Sequence, residues 1–143
     1  MKADEVRQLL KLQPLEPEGG FFRETYRSRW QVPQEPLPEG VQGTRSIGTS
    51  IYYMITPETF SSLHRLPGTE IFHFYLGDPA VMLQLHPDGL VQTITLGHDV
   101  AASPTSAAGR GARGSVARMQ TRSPRRVGAD GNDHVSRLRL HRL

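Results

Sequence analysis

The sequence predicts an all-β domain, a barrel or a sandwich, with one short helix ahead of it. Three observations lead there. Turn-forming residues punctuate the first hundred positions at intervals of about 8 to 12 residues, and the stretches between them are β-branched or aromatic. All ten aromatic residues lie between positions 1 and 102. The length of 143 residues suits a single hydrophobic core.

The elements follow in chain order. From Ala3 to Leu12, Val6, Leu9 and Leu10 fall at helical spacing, with Asp4 and Glu5 in the first turn, where acids complement the helix dipole. Pro14 and Pro17 end that helix. Gly20 to Trp30 alternates Phe22, Glu24, Tyr26 and Ser28 against Phe21, Arg23, Thr25, Arg27 and Arg29, a strand with one half-polar face. A loop rich in Pro, Glu and Gly spans Pro33 to Gly43. Arg45 to Ile55 is β-rich, Phe60 to Leu66 reads as a further strand, and Pro67-Gly68 is a turn. Glu70 to Leu76 and Ala80 to Leu85 are strands around Gly77-Asp78-Pro79; Pro87-Asp88-Gly89 then turns the chain into Leu90 to Leu96. No internal repeat is present.

Near Ser103 the chain changes character. Positions 1 to 102 carry eight basic and twelve acidic residues, net −4, whereas positions 103 to 143 carry nine arginines against Asp130 and Asp133, net +7. The tail has no aromatic residue, and its arginines sit among Gly, Ala and Ser. Such composition suits a disordered arm, solvated or bound to nucleic acid. It is also what a GC-rich gene yields when translated out of frame. Shifted by one base, the codons from Val127 permit Trp-Ala-Leu-Met-Gly-Thr-Thr-Met-Ser-Pro-Gly-Phe-Asp-Tyr-Thr-Asp, a buried-strand pattern, a Pro-Gly turn and an aromatic strand. From Ala112 the same shift permits Pro-Ala-Gly-Val-Trp-Gln-Gly-Cys-Arg-Leu. Hence the sequence divides into a β domain at 1–102 and, at 103–143, a tail expected to be out of frame, irregular and disordered.

Other classes are excluded. No run reaches the roughly 20 apolar residues of a membrane span, and Met1-Lys2-Ala3-Asp4-Glu5 opens no signal peptide, so a cytoplasmic protein is expected. Without cysteine there is no disulfide, no thiolate chemistry and no cysteine-bound zinc. Any metal would rely on His, Asp or Glu.

Residues Pro14 to Ser28, Ser50-Ile51-Tyr52-Tyr53, Phe60 to Leu66 and Glu70 to Pro79 together resemble the DUF985 family of cupins, over roughly residues 10 to 100. The resemblance implies a cupin-type double-stranded β-helix, or jelly-roll barrel, that forms a homodimer. It also implies a Pro-x-Gly-x-Trp turn and a Pro-Gly-Phe-Asp-Tyr strand near the end. Both are absent as written and both are permitted by the shifted frame, so the closing strands are expected to be missing or replaced by an irregular tail.

Against the cupin metal motif, the chain keeps His64 and keeps Glu70 followed by Gly77. The second imidazole of that motif falls on or beside Leu66, which cannot coordinate. Two ligands are too few for a stable transition-metal site; no metal cofactor is expected, and any metal would rest on His64 and Glu70. Strand alternation puts Glu70, Phe72, Phe74 and Leu76 on one face and Ile71, His73 and Tyr75 on the other, so His73 points away from a cavity that Glu70 faces. His86 and His98 border turns.

The candidates for chemistry are His64, Glu70 and Tyr53, with Arg23, Arg65, Tyr52 and Phe72 as ligand-binding residues. A histidine near a carboxylate serves as a general base, and a tyrosine on the opposite wall supplies a proton; paired hydrogen bonds from arginine hold a phosphate or carboxylate. The bland alternative is a buried ion pair of Glu70 with Arg23 or Arg65 and tyrosines that merely fill the core. The two glycines of Glu18-Gly19-Gly20 most simply mark a strand entry at positive φ. Two functional readings result: a barrel that binds a small polar metabolite, and a sugar epimerase or isomerase of the kind built on cupin barrels. Nucleic-acid binding by the arginine tail is a third.

Overall fold

A computed structural model describes residues 1–35, 43–65, 68–99 and 101, together with strand residues 105–106, 108–111, 116–121 and 136–142. The chain opens on helix α1 (Ala3–Leu10) and continues through strands β1 (Gln13–Pro14), β2 (Phe21–Arg27), β3 (Gln31–Val32), β4 (Arg45–Ser46), β5 (Thr49–Ile55) and β6 (Ser61–Arg65). It then forms β7 (Glu70–Leu76), β8 (Ala80–Leu85), β9 (Val91–Leu96), β10 (Thr105–Ser106), β11 (Ala108–Gly111), β12 (Val116–Thr121) and β13 (Ser136–Arg142).

Helix α1 ends two residues short of the expected Leu12, because Lys11 turns left-handed at φ 54 and its N–H folds back on the last turn. The Lys2 N–H donates to Glu5 at 2.9 Å and closes the other end. Val6, fully buried, packs with Ala3, Leu12 and Met54 on the outer face of the large sheet, a burial worth about 1.5–3 kcal/mol for the valine alone. The Arg7 guanidinium lies 5.0 Å over the Phe21 ring and ties helix to strand.

The strands make two large sheets and a small ribbon. The six-stranded sheet runs β1-β2-β5-β13-β7-β11, the five-stranded sheet runs β10-β9-β8-β12-β6, and β3 pairs with β4. Among the described residues the pairings are antiparallel except that of β10 with β9. Between the sheets lie Ile51, Tyr53, Ile55, Phe72, Ala80, Met82, Leu96 and Met119. Alternation produces this core: Ala80, Met82 and Gln84 of β8 face inward while Val81, Leu83 and Leu85 are half-covered.

The expected strands at 70–76 and 80–85 form with those bounds, and Leu90 drops out of the next. The β-rich stretch from Arg45 breaks into β4 and β5. Residues 36–42 of the expected loop, Leu66 at the end of the expected strand and Pro67 of the expected turn lie outside the described residues.

Where it is described, the tail is extended. It contributes β10 to β13, and β13 pairs with β5 on one side, Leu140 opposite Ile51, and with β7 on the other, Leu140 opposite Phe72. The reason is that strand pairing is made by main-chain N–H and C=O groups, which every residue of the segment except proline supplies. Between two open edges, a chain of almost any composition finds partners, whereas composition decides only whether its side chains suit the place.

A chain ending at residue 135 leaves β5 and β7 as facing open edges. It is expected to aggregate on heating and to lose its cooperative unfolding transition, as measured by light scattering and circular dichroism; an unchanged transition would show that β13 does not close the sheet.

Candidate functional site

The site is set by an irregularity in β6. Opposite β12, Ala117 faces His64 and Met119 faces Ser61, so three steps on β6 match two on β12. One residue is therefore extra, a bulge, and its effect is to put both Ser61 and His64 on the same side of the sheet. That side is the inner one. Met119 belongs to the core, and Ala117 also stands opposite the fully buried Gln84 of β8. Arg65, one residue beyond His64, is turned to the outer face and exposed.

Facing Ser61 from the other sheet is Tyr53. Its hydroxyl donates to the Gly19 carbonyl at 2.8 Å and receives a hydrogen bond from Ser61. Burial foremost, with the negative charges of Glu18 and Glu70 in the same direction, pushes this phenol above its ordinary value of 10.0 in spite of the Ser61 bond. Tyr53 is thus held protonated.

The turn that carries Glu18 spans the two sheets. The Ser62 N–H donates to the Glu18 carbonyl at 2.7 Å, and Gly19 N–H donates to Leu15 at 2.7 Å. Gly19, at φ +90, sits so close to β6 that a Cβ there would lie 2.3 Å from the Phe60 carbonyl oxygen. A Cβ on Gly20, at φ +74, would lie 2.7 Å from the Met54 oxygen and 2.8 Å from the Tyr53 hydroxyl. The two glycines are needed for positive φ, as expected, and equally for contact.

His64 is oriented by the same segment. Its Nδ1 lies 2.8 Å from the Ser62 carbonyl; a carbonyl only accepts, so Nδ1 carries the hydrogen and the neutral ring leaves Nε2 bare. Nε2 is 3.9 Å from the Glu18 carboxylate, with side chains 22% and 23% exposed. The carboxylate beside His64 is therefore Glu18, a residue that the sequence offered only as part of a glycine turn. Ser61 was likewise passed over. The adjacency of Glu18 to two glycines was the available signal, since a backbone that can approach closely brings its neighbour with it.

The remaining candidates divide by face. Glu70 and Phe72 are buried on the inner side of β7 and His73 lies on the other side, as alternation predicts, whereas Leu76, expected beside them, packs with the outer cluster of Val6 and Met54 because the register against β13 shifts between Phe74 and Leu76. Tyr52 faces outward with Phe21 and Met54, against α1. Arg23, opposite Tyr52 in register, lies 5.6 Å over its ring. Hence Tyr53, His64, Glu70 and Phe72 share the inner space, whereas Arg23, Arg65 and Tyr52 are on the outer faces and do not join them. Neighbouring residues on a strand cannot both face in, and the bulge decides the matter for Arg65. Among the described residues no group of three or more His, Asp or Glu could hold a metal ion.

Two facing sheets closed by a late strand, with the histidine and glutamate of the inner wall on successive strands, define a cupin-type β-barrel. The chain belongs to the cupin superfamily, family DUF985, whose pattern it matches over residues 4–109. It is similar to an uncharacterized protein of Saccharomyces cerevisiae, 31% identical over 87 residues that cover 57% of this chain and 43% of the yeast protein. The match thus spans less than half the length of that relative. Among solved structures it is similar to a protein from Shewanella oneidensis, with a TM-score of 0.81, 24% identity and coverage of 99% of this chain and 77% of the other. A hypothetical protein from Leishmania major gives a TM-score of 0.82 and 25% identity, covering 99% and 81%.

Tyr53→Phe removes the hydroxyl bond to Gly19 and is expected to cost about 0.5–1.5 kcal/mol near neutral pH. Because the folded phenol is raised, its contribution is full below the ordinary value of 10.0 and is lost as pH climbs through the folded value. Urea midpoints between about pH 8 and 11 should fall with pH in the parent and fall less in the variant; parallel curves would contradict the assignment.

Proposed function

We propose that the protein binds a small polar metabolite, a sugar derivative by class, in the space between its two sheets, with His64, Ser61, Glu70 and Phe72 on the inner wall. The observation that carries this reading is the bulge in β6, which sets an imidazole and a hydroxyl side by side on the inner face where an unbroken strand would turn one of them out. Bulges recur where a strand must re-aim a side chain beside a site.

The epimerase reading requires an acid on the opposite wall. Tyr53 occupies that wall, but its proton is committed to Gly19 and its hydroxyl is raised by burial. An acid working near neutral pH needs the reverse shift, so binding is the better supported of the two. Nucleic-acid binding by the arginine tail stands third. A homodimer, which the family resemblance implies, and the cytoplasmic location expected from the sequence belong to the same proposal.

A panel of neutral monosaccharides, amino sugars and sugar phosphates, screened by thermal shift and then titrated by calorimetry, tests the reading. At least one member should bind, and His64→Ala should weaken it about tenfold or more, the loss of one strong hydrogen bond. Equal affinity in His64→Ala, or no binding by any member, would end it.

We also infer that residues beyond Ser103 are encoded in a shifted frame. Support comes from position: the shifted reading places Pro-Gly-Phe-Asp-Tyr on residues 136 to 140, within β13, the strand that enters between β5 and β7. An aromatic strand suits a two-sided core position better than one with arginine at 137, 139 and 142. Mass spectrometry of the protein isolated from its own cells should find tryptic peptides of the shifted frame; peptides containing Arg137 to Arg142 as written would refute it.

A further inference from the structure

A regular strand turns residues three apart to opposite faces, so a bidentate ion pair between two such residues marks a break in the alternation. Strand β2 holds one. Arg27 donates to Glu24 through Nε at 3.0 Å and through Nη2, and the register shows how they meet: Glu24 stands opposite Ile51 and Tyr26 opposite Ser50, so Thr25 is an extra residue. The Thr25 hydroxyl donates to the Ser50 carbonyl at 3.0 Å and fastens the bulge to β5. Ile51 belongs to the core between the sheets, and Thr49, opposite Arg27, lies two residues from it on the same face. Glu24 and Arg27 are therefore both on the inner side. Arg23 and Arg27, four apart, would share a face in an unbroken strand; the extra residue turns Arg27 inward while Arg23 stays outside, over Tyr52. Strand β6 is built in the same way, with Ser61 and His64 three apart and joined on one side by a bulge.

The two polar pairs lie at the same end of the sheets. Arg27 is in register with Thr49, Thr49 with Arg142 and Arg142 with Glu70, so one row across the large sheet leads from Arg27 to the start of β7. Only residues 66–69 separate that start from Arg65, the neighbour of His64. With side chains 58% and 38% exposed, Arg27 and Glu24 stand at the rim of this end, within reach of an incoming ligand. We propose that Arg27 is a ligand-binding residue of the metabolite site, and that the ligand carries an acidic group with paired oxygens, a carboxylate or a phosphate. This rests on reading the inner space as a metabolite site.

The class of ligand follows from the edge of the guanidinium that Glu24 occupies. Glu24 takes the side formed by Nε and Nη2, so the end formed by Nη1 and the second Nη2 hydrogen keeps two parallel donors. That fork matches the two oxygens of a carboxylate or phosphate, and a lysine cannot reproduce it. Glu24 also holds the plane of the guanidinium, so a long side chain is ordered before any ligand arrives, which lowers the ordering cost of binding. An exposed ion pair of this kind adds little to stability. Its loss should therefore be read in binding and leave the fold intact.

The test titrates glucose, glucuronate and glucose 6-phosphate, and the three galactose counterparts, by calorimetry into the full chain, into Arg27→Lys and into Arg29→Gln, with unfolding midpoints to confirm that both variants fold. In the parent, one of the acidic sugars should bind about tenfold or more tightly than its neutral counterpart, and whether it is the uronate or the phosphate identifies the group. Arg27→Lys keeps the charge and loses the fork, so that preference should shrink about tenfold. Arg29→Gln lowers the net charge without touching the fork, and the preference should stay. A neutral sugar bound by the parent as tightly as both of its acids, an unchanged preference in Arg27→Lys, or an equal loss in Arg29→Gln would each overturn the proposal. Any of these with binding still dependent on His64 leaves the metabolite site standing and removes this assignment alone. No binding by any member removes both.

Discussion

An extended strand offers its side chains to two opposite sides, and in a pair of stacked sheets those sides are an enclosed core and an outer surface. Nearly every feature of this molecule follows from that alternation. It sends Tyr53 inward and Tyr52 outward from consecutive positions, and it separates Glu70 and Phe72 from His73. An interruption, the extra residue in β6, is what brings Ser61 and His64 to the same side.

Polar groups at the site are organised by one backbone segment. The turn through Glu18 and Gly19 reaches from β5 to β6, accepts hydrogen bonds from the Tyr53 hydroxyl and the Ser62 N–H, and leaves no room for a side chain at either glycine. Ser62 in turn fixes the histidine ring through its carbonyl. Such a network is costly to bury unless its members are satisfied, and its bonds join elements far apart in the chain. The carboxylate next to the imidazole is a consequence of this bracing, which is why it comes from the turn and not from Glu70.

Closure of the large sheet poses a different problem. The edges of β5 and β7 need a partner for their main-chain groups, and β13 provides one by backbone pairing alone.

Much of the fold was legible because it is local. The turns at Gly77-Asp78-Pro79 and Pro87-Asp88-Gly89, the strands on either side of them and the amphipathic start at Ala3 are written in short-range patterns, and the resemblance of Pro14–Ser28 and Glu70–Pro79 to a known family fixed the barrel type. Alternation along β7 likewise put Glu70 and Phe72 on one face and His73 on the other. What the tertiary structure alone decided was anything that depends on register between strands distant in sequence: the bulge opposite Ala117, the outward turn of Arg23, Arg65 and Tyr52, and the meeting of Glu18 with His64. Period and composition say which residues share a face; they cannot say which face is enclosed where a strand slips by one residue, because that slip costs nothing locally and is fixed by the partner across the sheet.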